Sequence, residues 1–284
     1  MLRVGVHVSI AGSIVKAVER AEKIGCDTFQ IFSRNPRGWR FKPLDPDISA
    51  HFREELKKTS ISPVVVHMPY LPNLATPRKE IYEKSVEDLA AEISRCGELG
   101  IPYLITHLGH HLGDGIENGR RRVVAAVNRA LDAADNDVML LLENTAGEKN
   151  GVGSTFEDIG AVIDGVSQIE RVGVCFDTCH AFAAGYDLRT AQAVDEVTDS
   201  FDTIIGLDMI RVIHLNDSKG DLGSGLDRHE HIGLGTIGEE GFSSMLRHDL
   251  FRTRPLICET PVDERRDDAG NILKVRELAR EWGG

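Results

Sequence analysis

Six residues that commonly bind metal stand at or near the ends of short apolar runs: His67, His107, Glu143, Asp177, His214 and Glu259. One histidine in such a place is usually a hydrogen-bonded structural residue. The force of the pattern is in the number, three imidazoles and three carboxylates at matching places. Carboxylates packed together repel and raise one another's pKa. A divalent cation removes that cost. Mixed imidazole and carboxylate donors favour zinc, with iron or manganese as alternatives. Sulfur is largely absent from the set, which points to a hydrolytic centre rather than a closed structural one. Three loop residues join them: His180, three positions after Asp177, and the pair Asp227 and His229. A D-x-H spacing can put two side chains on the same side of an extended loop. Taken alone, it describes a solvated loop equally well.

Some frame has to bring these residues together. Short β-branched apolar runs occur at residues 3–7, 28–32, 63–67, 103–107, 138–143, 172–177, 211–215 and 256–260. Helix-like stretches lie between them, at 13–24, 77–99, 118–134 and 190–208. In the second of these, Ile81, Val86, Leu89, Ala90 and Ile93 recur near helical spacing, Pro77 suits a first turn, and Gly100 with Pro102 suits a stop. Strands alternating with helices predict a parallel sheet. In an open sheet six strand ends would spread along a line. In a closed barrel they ring one mouth, where barrel active sites sit. The expected fold is therefore a single (β/α)8 TIM barrel over residues 1–284, with the metal site at the C-terminal ends of the strands.

Composition agrees with this. At 284 residues, the chain is longer than most domains but of a length common for one barrel. With 41% hydrophobic and 27% charged residues it is neither disordered nor membrane-like. No apolar run approaches the ~18 residues needed to span a bilayer. The first residues turn polar too quickly for a secretory signal, so a soluble cytoplasmic protein is expected. Five scattered cysteines do not form a disulfide framework, and Cys175 and Cys179, spaced C-x3-C, read as small buried thiols.

Certain segments are specific enough to carry a resemblance. They are Gly173-Val174-Cys175-Phe176-Asp177-Thr178-Cys179-His180-Ala181-Phe182, Leu142-Glu143-Asn144-Thr145-Ala146-Gly147 and His214-Leu215-Asn216-Asp217-Ser218-Lys219. Asp227-Arg228-His229 followed by Gly233-Leu234-Gly235 belongs with them. Over nearly its whole length the chain resembles the endonuclease IV family of apurinic/apyrimidinic endonucleases. The resemblance implies three Zn2+ per chain. His67, His107 and Glu143 match one site; Glu143, Asp177, His214 and Glu259 match a second, with Glu143 bridging; His180, Asp227 and His229 match a third. It implies double-stranded DNA containing abasic sites as partner, and a base-excision repair reaction. That reaction is hydrolysis of the phosphodiester 5′ to the lesion, leaving a 3′-hydroxyl and a 5′-deoxyribose phosphate, with 3′-end cleaning besides. Glu143 and Glu259 are the expected catalytic residues. Metal-activated water is the expected attacking group, so no side-chain nucleophile is required.

The resemblance also assigns DNA contacts. Arg37 matches a residue inserted into the duplex, and Tyr70 with Leu71 matches a wedge at the lesion. An aromatic and an aliphatic side chain can fill the gap left by a displaced nucleotide. Without the resemblance, Tyr70 and Leu71 would read as loop packing. Arg34, Arg40, Lys42, Lys149, Lys219 and Arg228 are candidate phosphate contacts or ordinary surface charges. The net charge of −12 argues against nucleic acid taken alone. Three divalent ions at one mouth would offset half of it, and local field matters more than the total.

Other features carry less. Gly233-Leu234-Gly235-Thr236-Ile237-Gly238 spells G-x-G-x-x-G but follows no strand directly, so no nucleotide cofactor is expected and the glycines shape a loop. His51 and His248 are expected to face solvent. His7 has a supporting or a structural role, and His231 lies near proposed ligands. Where the family commonly has proline the chain has Leu108, and the His110–His111 pair nearby is unusual, a possible stray metal binder. A metal-dependent sugar isomerase or epimerase on the same barrel is the alternative function; a non-catalytic metal scaffold is the third. The first would not need the His180, Asp227 and His229 group or the Arg37 and Tyr70–Leu71 wedge, and the scaffold predicts a filled, closed coordination shell. The barrel is expected to work as a monomer.

Overall fold

The computed structural model describes residues 2–40 and 42–280. Ten strands occur among them: β1 (Arg3–Val6), β2 (Phe29–Ile31), β3 (Val64–His67), β4 (Tyr103–His107), β5 (Met139–Glu143), β6 (Val172–Asp177), β7 (Ile210–His214), β8 (Asp217–Ser218), β9 (His229–Glu230) and β10 (Pro255–Cys258). The helices are α1 (Lys16–Ile24), α2 (Pro46–Lys57), α3 (Lys79–Leu99), α4 (Ile116–Ala133), α5 (Phe156–Asp164), α6 (Thr178–Ala184), α7 (Ala191–Ile204), α8 (Gly238–Met245), α9 (Asp249–Thr253) and α10 (Asp268–Arg280). Eight parallel strands run in the order β1-β10-β7-β6-β5-β4-β3-β2. The two outer strands meet through a bridge from His7 to Gln30, and Val8 N–H donates to the Gln30 carbonyl at 2.7 Å. The sheet therefore closes into the expected TIM barrel.

Side-chain alternation along each strand divides the core in two. Val65, Ile105, Leu141, Cys175, Val212 and Ile257 form a compact fully buried cluster, one residue from each of six strands, closed below by Tyr103 and Met139. The intervening residues, such as Val64, Val66, Leu104, Leu140, Leu142 and Val174, pack outward against the helices in a second, larger core. Each fully buried aliphatic side chain contributes about 1.5–3 kcal/mol relative to exposure. The inner cluster is a floor: above it the next inward positions are free to be polar.

Helix ends agree with local chemistry. Thr155 and Thr190 cap α5 and α7, accepting from Asp158 N–H and Ala193 N–H. Gly100 ends α3 in the left-handed region (φ 68°), where a Cβ would be strained. Sequence boundaries shift slightly. Pro77 lies just outside α3, whose cap is Arg78, and α7 stops at Ile204, before a short 3₁₀ turn, Leu207–Met209. A small antiparallel ribbon, β8 with β9, was not foreseen, since two-residue strands leave no periodicity to read. All five cysteines are free and buried, as expected.

The barrel seam tolerates no bulk on β1. A Cβ at Gly5 would stand 1.6 Å from the Thr28 carbonyl oxygen, which is backbone and cannot swing away. Gly5→Ala is expected to cost about 3 kcal/mol or more, the upper end of overpacking effects. Urea unfolding measures it; a wild-type midpoint would contradict this account of the seam.

Candidate metal centre

Strand register sets the candidate ligands at one height. His107 on β4 pairs directly with Glu143 on β5, and Asp177 on β6 pairs with His214 on β7. Glu259 follows β10 at once, and His67 ends β3. His180 arrives by a local device. Asp177 caps α6 by accepting from the His180 N–H at 2.8 Å, so one carboxylate both belongs to the centre and starts the helix that delivers the next ligand. Asp227 lies in the loop between β8 and β9, and His229 opens β9. All nine expected ligands converge.

Their atoms fall into the three groups expected. His67, His107 and Glu143 form one; Glu143, Asp177, His214 and Glu259 a second; His180, Asp227 and His229 a third, with ligand atoms of each group within 4.8 Å of one another. Glu143 divides its oxygens. Its Oε2 lies 3.0 Å from His67 Nε2 and 3.6 Å from His107 Nε2, while Oε1 lies 3.0 Å from His214 Nδ1. The third group sits alongside, with His180 Nε2 3.2 Å from Asp227 Oδ1 and 3.5 Å from His229 Nε2. A further combination, Asp177, Cys179 and His229, has compatible spacing. Burial pushes the Cys179 thiol up to about 12, so it stays a thiol and is a poor ligand.

The imidazoles are oriented from behind. His67 Nδ1–H donates to the Met68 carbonyl at 2.7 Å, His180 Nδ1–H to the Asn144 carbonyl at 3.0 Å, and His229 Nδ1–H to the Glu259 carbonyl at 3.0 Å. His214 is the reverse tautomer, its Nε2–H donating to Gln30 Oε1 at 2.8 Å. In each ring the outer nitrogen is held by an acceptor and the inner one is aimed at the shared space, where it now meets a carboxylate or its neighbours and where a metal would take its lone pair. The donor set therefore fits divalent metal.

Electrostatics point the same way. Burial alone would raise Glu143, but His107 and His214 outweigh it and hold the carboxyl well below its usual range. For Glu259, burial is again opposed and His214 leads the groups that take it down to about 2. The hydrogen bond from His180, helped by its charge, lowers Asp227 to about 2. Burial opposes charge on His180 and His214 too, yet Asp177 leads the carboxylates that raise His180, and Cys175, followed by Glu259 and Glu143, raises His214. A metal ion would take the place of these shared protons.

Three supporting residues escaped the sequence reading. Gln30, fully buried, donates from Nε2 to Glu259 Oε1 at 2.7 Å and to His7 Nδ1 at 2.9 Å while accepting from His214. Asn216 donates to Asp177 Oδ2 at 2.7 Å and accepts from the Glu259 N–H at 2.7 Å. Asn144 exchanges two hydrogen bonds with the Asp177 backbone. The available signal was slight: an amide inside the apolar run of β2, and asparagines one or two places past a ligand. His7 takes its supporting role here; burial lowers it to about 4, and Gln30 uses it as an acceptor.

The remaining histidines resolve simply. His231 is buried against Asp263 Oδ1 at 3.0 Å and Asn271 Nδ2 at 3.0 Å, which ties its loop to α10. His111 Nδ1 accepts from Gly113 and Gly115 N–H, and neither His110 nor His111 joins a metal group among the described residues. His51 is exposed, as expected. His248 corrects its reading: it is half-buried and caps α9 through Nδ1. Arg34 is a second correction, being buried rather than on the surface or at a phosphate. The G-x-G-x-x-G stretch does form an anion nest, but a protein carboxylate fills it. Asp217 accepts from the N–H groups of Gly235, Ile237 and Gly238, and a Cβ at Gly235 would stand 2.5 Å from Asp217 Oδ1.

The centre opens into a cavity of about 330 Å³ walled by His67, His107, His229, Glu259 and Tyr70 among others. Tyr70 is 70% exposed, Leu71 39%, and Arg37 is also exposed. Tyr70 stands against Phe32 with ring centroids 5.2 Å apart. Arg40, Lys42, Lys149, Lys219 and Arg228 are exposed on the loops following β2, β5 and β8.

Two outcomes test this geometry. Gln30→Ala is expected to weaken metal binding about 10- to 100-fold, read by chelator competition; unchanged affinity would remove Gln30 from the centre. The second uses metal-free protein. Asp227 and Glu259 have folded values depressed from 3.8 and 4.5 to about 2. Their contribution is therefore present above about pH 4.5 and lost as pH falls towards about 2. The stability gap between wild type and Asp227→Asn should narrow across that window; a constant gap would contradict the pairing.

Known proteins are similar to the chain over its length. The family model described as a xylose isomerase-like TIM barrel matches residues 18–282. A probable endonuclease 4 of Methanoculleus marisnigri is 67% identical over 98% of this chain and 99% of its own. One from Methanosphaerula palustris is 58% identical with the same coverage. The crystal structure of endonuclease IV from Thermus thermophilus superposes with a TM-score of 0.87 at 37% identity, covering 98% of this chain and 99% of that one. A D-tagatose 3-epimerase-like protein reaches a TM-score of 0.73 at 21% identity and so shares the fold. The chain belongs to the endonuclease IV family, within the xylose isomerase-like TIM barrels.

Proposed function

We propose that this DNA-repair AP endonuclease works with three zinc ions per chain, held by His67, His107, Glu143, Asp177, His180, His214, Asp227, His229 and Glu259. We read it as one catalytic domain over residues 1–284, acting as a cytoplasmic monomer. Among the described residues no helix is long and apolar enough to cross a membrane. The observation that carries the reading is the division of Glu143, one oxygen in each of two ligand groups with a third group beside them.

The reaction is hydrolysis of the phosphodiester 5′ to an abasic site in duplex DNA, leaving a 3′-hydroxyl and a 5′-deoxyribose phosphate, with 3′-end cleaning by the same centre. Bound zinc would supply an acidified water and neutralise charge on the phosphate. The chain's residues do the rest. Glu143 fixes the spacing of two ligand groups. Glu259, with Oε1 engaged by Gln30, orients the attacking water. Tyr70 and Leu71, exposed at the cavity rim, fill the gap left by the displaced sugar, and Arg37 enters the duplex beside them. An abasic sugar flips readily because no base must be unstacked. The epimerase alternative rests on fold likeness alone and leaves His180, Asp227 and His229 without a task.

The test is incision of a labelled duplex holding one abasic analogue, with an undamaged duplex beside it and metals counted. Cleavage at the lesion alone is expected, falling by about three orders of magnitude or more in Glu143→Ala, the scale of lost charge stabilisation in a transition state. A folded, fully metallated wild type that leaves the lesion intact would turn attention to sugar substrates.

A further inference from the structure

Arg37 sits on a loop with an unusual anchorage. The loop leaves β2 at Phe32 and reaches α2 at Pro46. Its neighbour α3 turns Asp88, Glu92 and Arg95, spaced i, i+4 and i+7, inward on one face. All three are buried, as are Ser33 and Arg34 opposite them. Buried charges require close partners, and the contacts here are dense. Arg34 Nε donates to Glu92 Oε1 at 2.7 Å, its Nη2 pairs with Asp88, and its Nη1 donates to the Gly38 carbonyl at 2.6 Å. Ser33 Oγ donates to Glu92 Oε2 at 2.6 Å. Arg95 Nε donates to Ser33 Oγ at 2.7 Å, Nη2 to the Ser33 carbonyl at 2.7 Å, and Nη1 to the Lys42 carbonyl at 3.1 Å. Two positive and two negative side chains thus balance in the interior.

The bonded carbonyls show what the network holds. It ties the loop at its start (Ser33), its middle (Gly38) and its end (Lys42), leaving Asn35, Pro36 and Arg37 as the free tip. That tip meets the other insertion loop directly: the Tyr70 N–H donates to the Pro36 carbonyl at 3.4 Å. Asn35 Oδ1 accepts from the Arg37 N–H at 3.1 Å and shapes the turn. A stability role alone would not require one guanidinium to bond the loop's middle while it pairs with two acids of α3. Arginine's planar fork can do this, whereas lysine, a point charge, cannot.

We propose that Arg34, Glu92 and Arg95 are positioning residues for DNA, holding residues 33–38 so that Arg37 and Tyr70 present one pre-formed wedge. Preorganisation of this kind raises affinity by removing the ordering cost at binding. The proposal rests on the reading that Arg37 enters the duplex, and the test separates the two.

Steady-state incision of a duplex with one tetrahydrofuran abasic analogue would be measured for metal-loaded Arg34→Lys, Arg37→Ala and the double variant. Turnover of bis(4-nitrophenyl) phosphate, too small to reach the loop, is the control. Arg34→Lys keeps the charge and loses the fork. It is expected to raise KM for the duplex about tenfold, the loss of one charge-assisted hydrogen bond. Its kcat, metal content and small-diester rate should stay within about twofold. Arg37→Ala should raise KM as well, and the double variant should be no worse than Arg37→Ala, since Arg34 acts through Arg37. Additive losses, or an unchanged KM in Arg34→Lys beside a clear loss in Arg37→Ala, would overturn the clamp alone. An unchanged KM in Arg37→Ala would overturn both. Should Arg34→Lys not fold, Ser33→Ala, which leaves both ion pairs, is expected to raise KM about two- to threefold, and a wild-type KM there would equally overturn the clamp.

Discussion

Glu143 is a fully buried carboxylate at the centre of the barrel mouth, and the rest of the molecule is arranged around that fact. An ionised carboxylate in such a place is costly unless paired and hydrogen-bonded. Here one oxygen faces His67 and His107 and the other faces His214. Those three residues come from different strands, so their meeting depends on closure of the barrel. Closure in turn depends on the apolar floor beneath, where Val65, Ile105, Leu141, Cys175, Val212 and Ile257 exclude water from below. The charged centre and the apolar core are therefore not separate designs. The floor fixes the height and spacing at which the next inward residues emerge.

Gln30 carries this coupling across the barrel seam. Its backbone pairs with β1, and its side chain reaches both His214 and Glu259. An amide suits the position because it accepts from one ligand and donates to the other, which a carboxylate or an amine could not do. The same residue thus acts twice, closing the sheet against His7 and tying the early part of the chain to His214 and Glu259 at the centre. A shift of register at β2 would turn its side chain away and open both.

Five of the nine candidate ligands were legible in the sequence because a strand ends on each of them, and a strand's length and polarity are local properties. His67, His107, Glu143, Asp177 and His214 fall at the ends of apolar runs, which is why the frame and the site could be read together. The supporting residues were less legible. Gln30, Asn144 and Asn216 act through contacts made across tens to hundreds of positions, and no spacing announces them. Arg34 misled for the opposite reason. Its position in an arginine-rich loop suggests surface, while the acids that bury it lie on α3, more than fifty residues away. Helix periodicity did hold a hint: Asp88, Glu92 and Arg95 share the inward face with Val86, Leu89 and Ile93, and charges on such a face need partners from elsewhere. The glycine stretch reads as a loop-shaping segment, and its backbone N–H groups close on Asp217, eighteen residues before Gly235, a partner that no local spacing announces.

Net charge is the remaining tension, and burial resolves much of it. A total of −12 would ordinarily oppose a polyanion. Yet Glu143, Asp177, Asp217, Asp88 and Glu92 are all buried, each engaged by imidazole, guanidinium or backbone N–H groups. These acids contribute to the total without presenting bare carboxylates to solvent. The exposed side chains of the loops after β2, β5 and β8 include Arg37, Arg40, Lys42, Lys149, Lys219 and Arg228. Exposed Asp221, on the last of these loops, offsets part of this basic set. Divalent metal held by the nine candidate residues would add positive charge at the mouth. An approaching duplex responds chiefly to charge within a Debye length, about 8–10 Å at ordinary salt. The acids on the far helices are therefore screened from it, and what a duplex meets is the local charge of the mouth rather than the total of the chain.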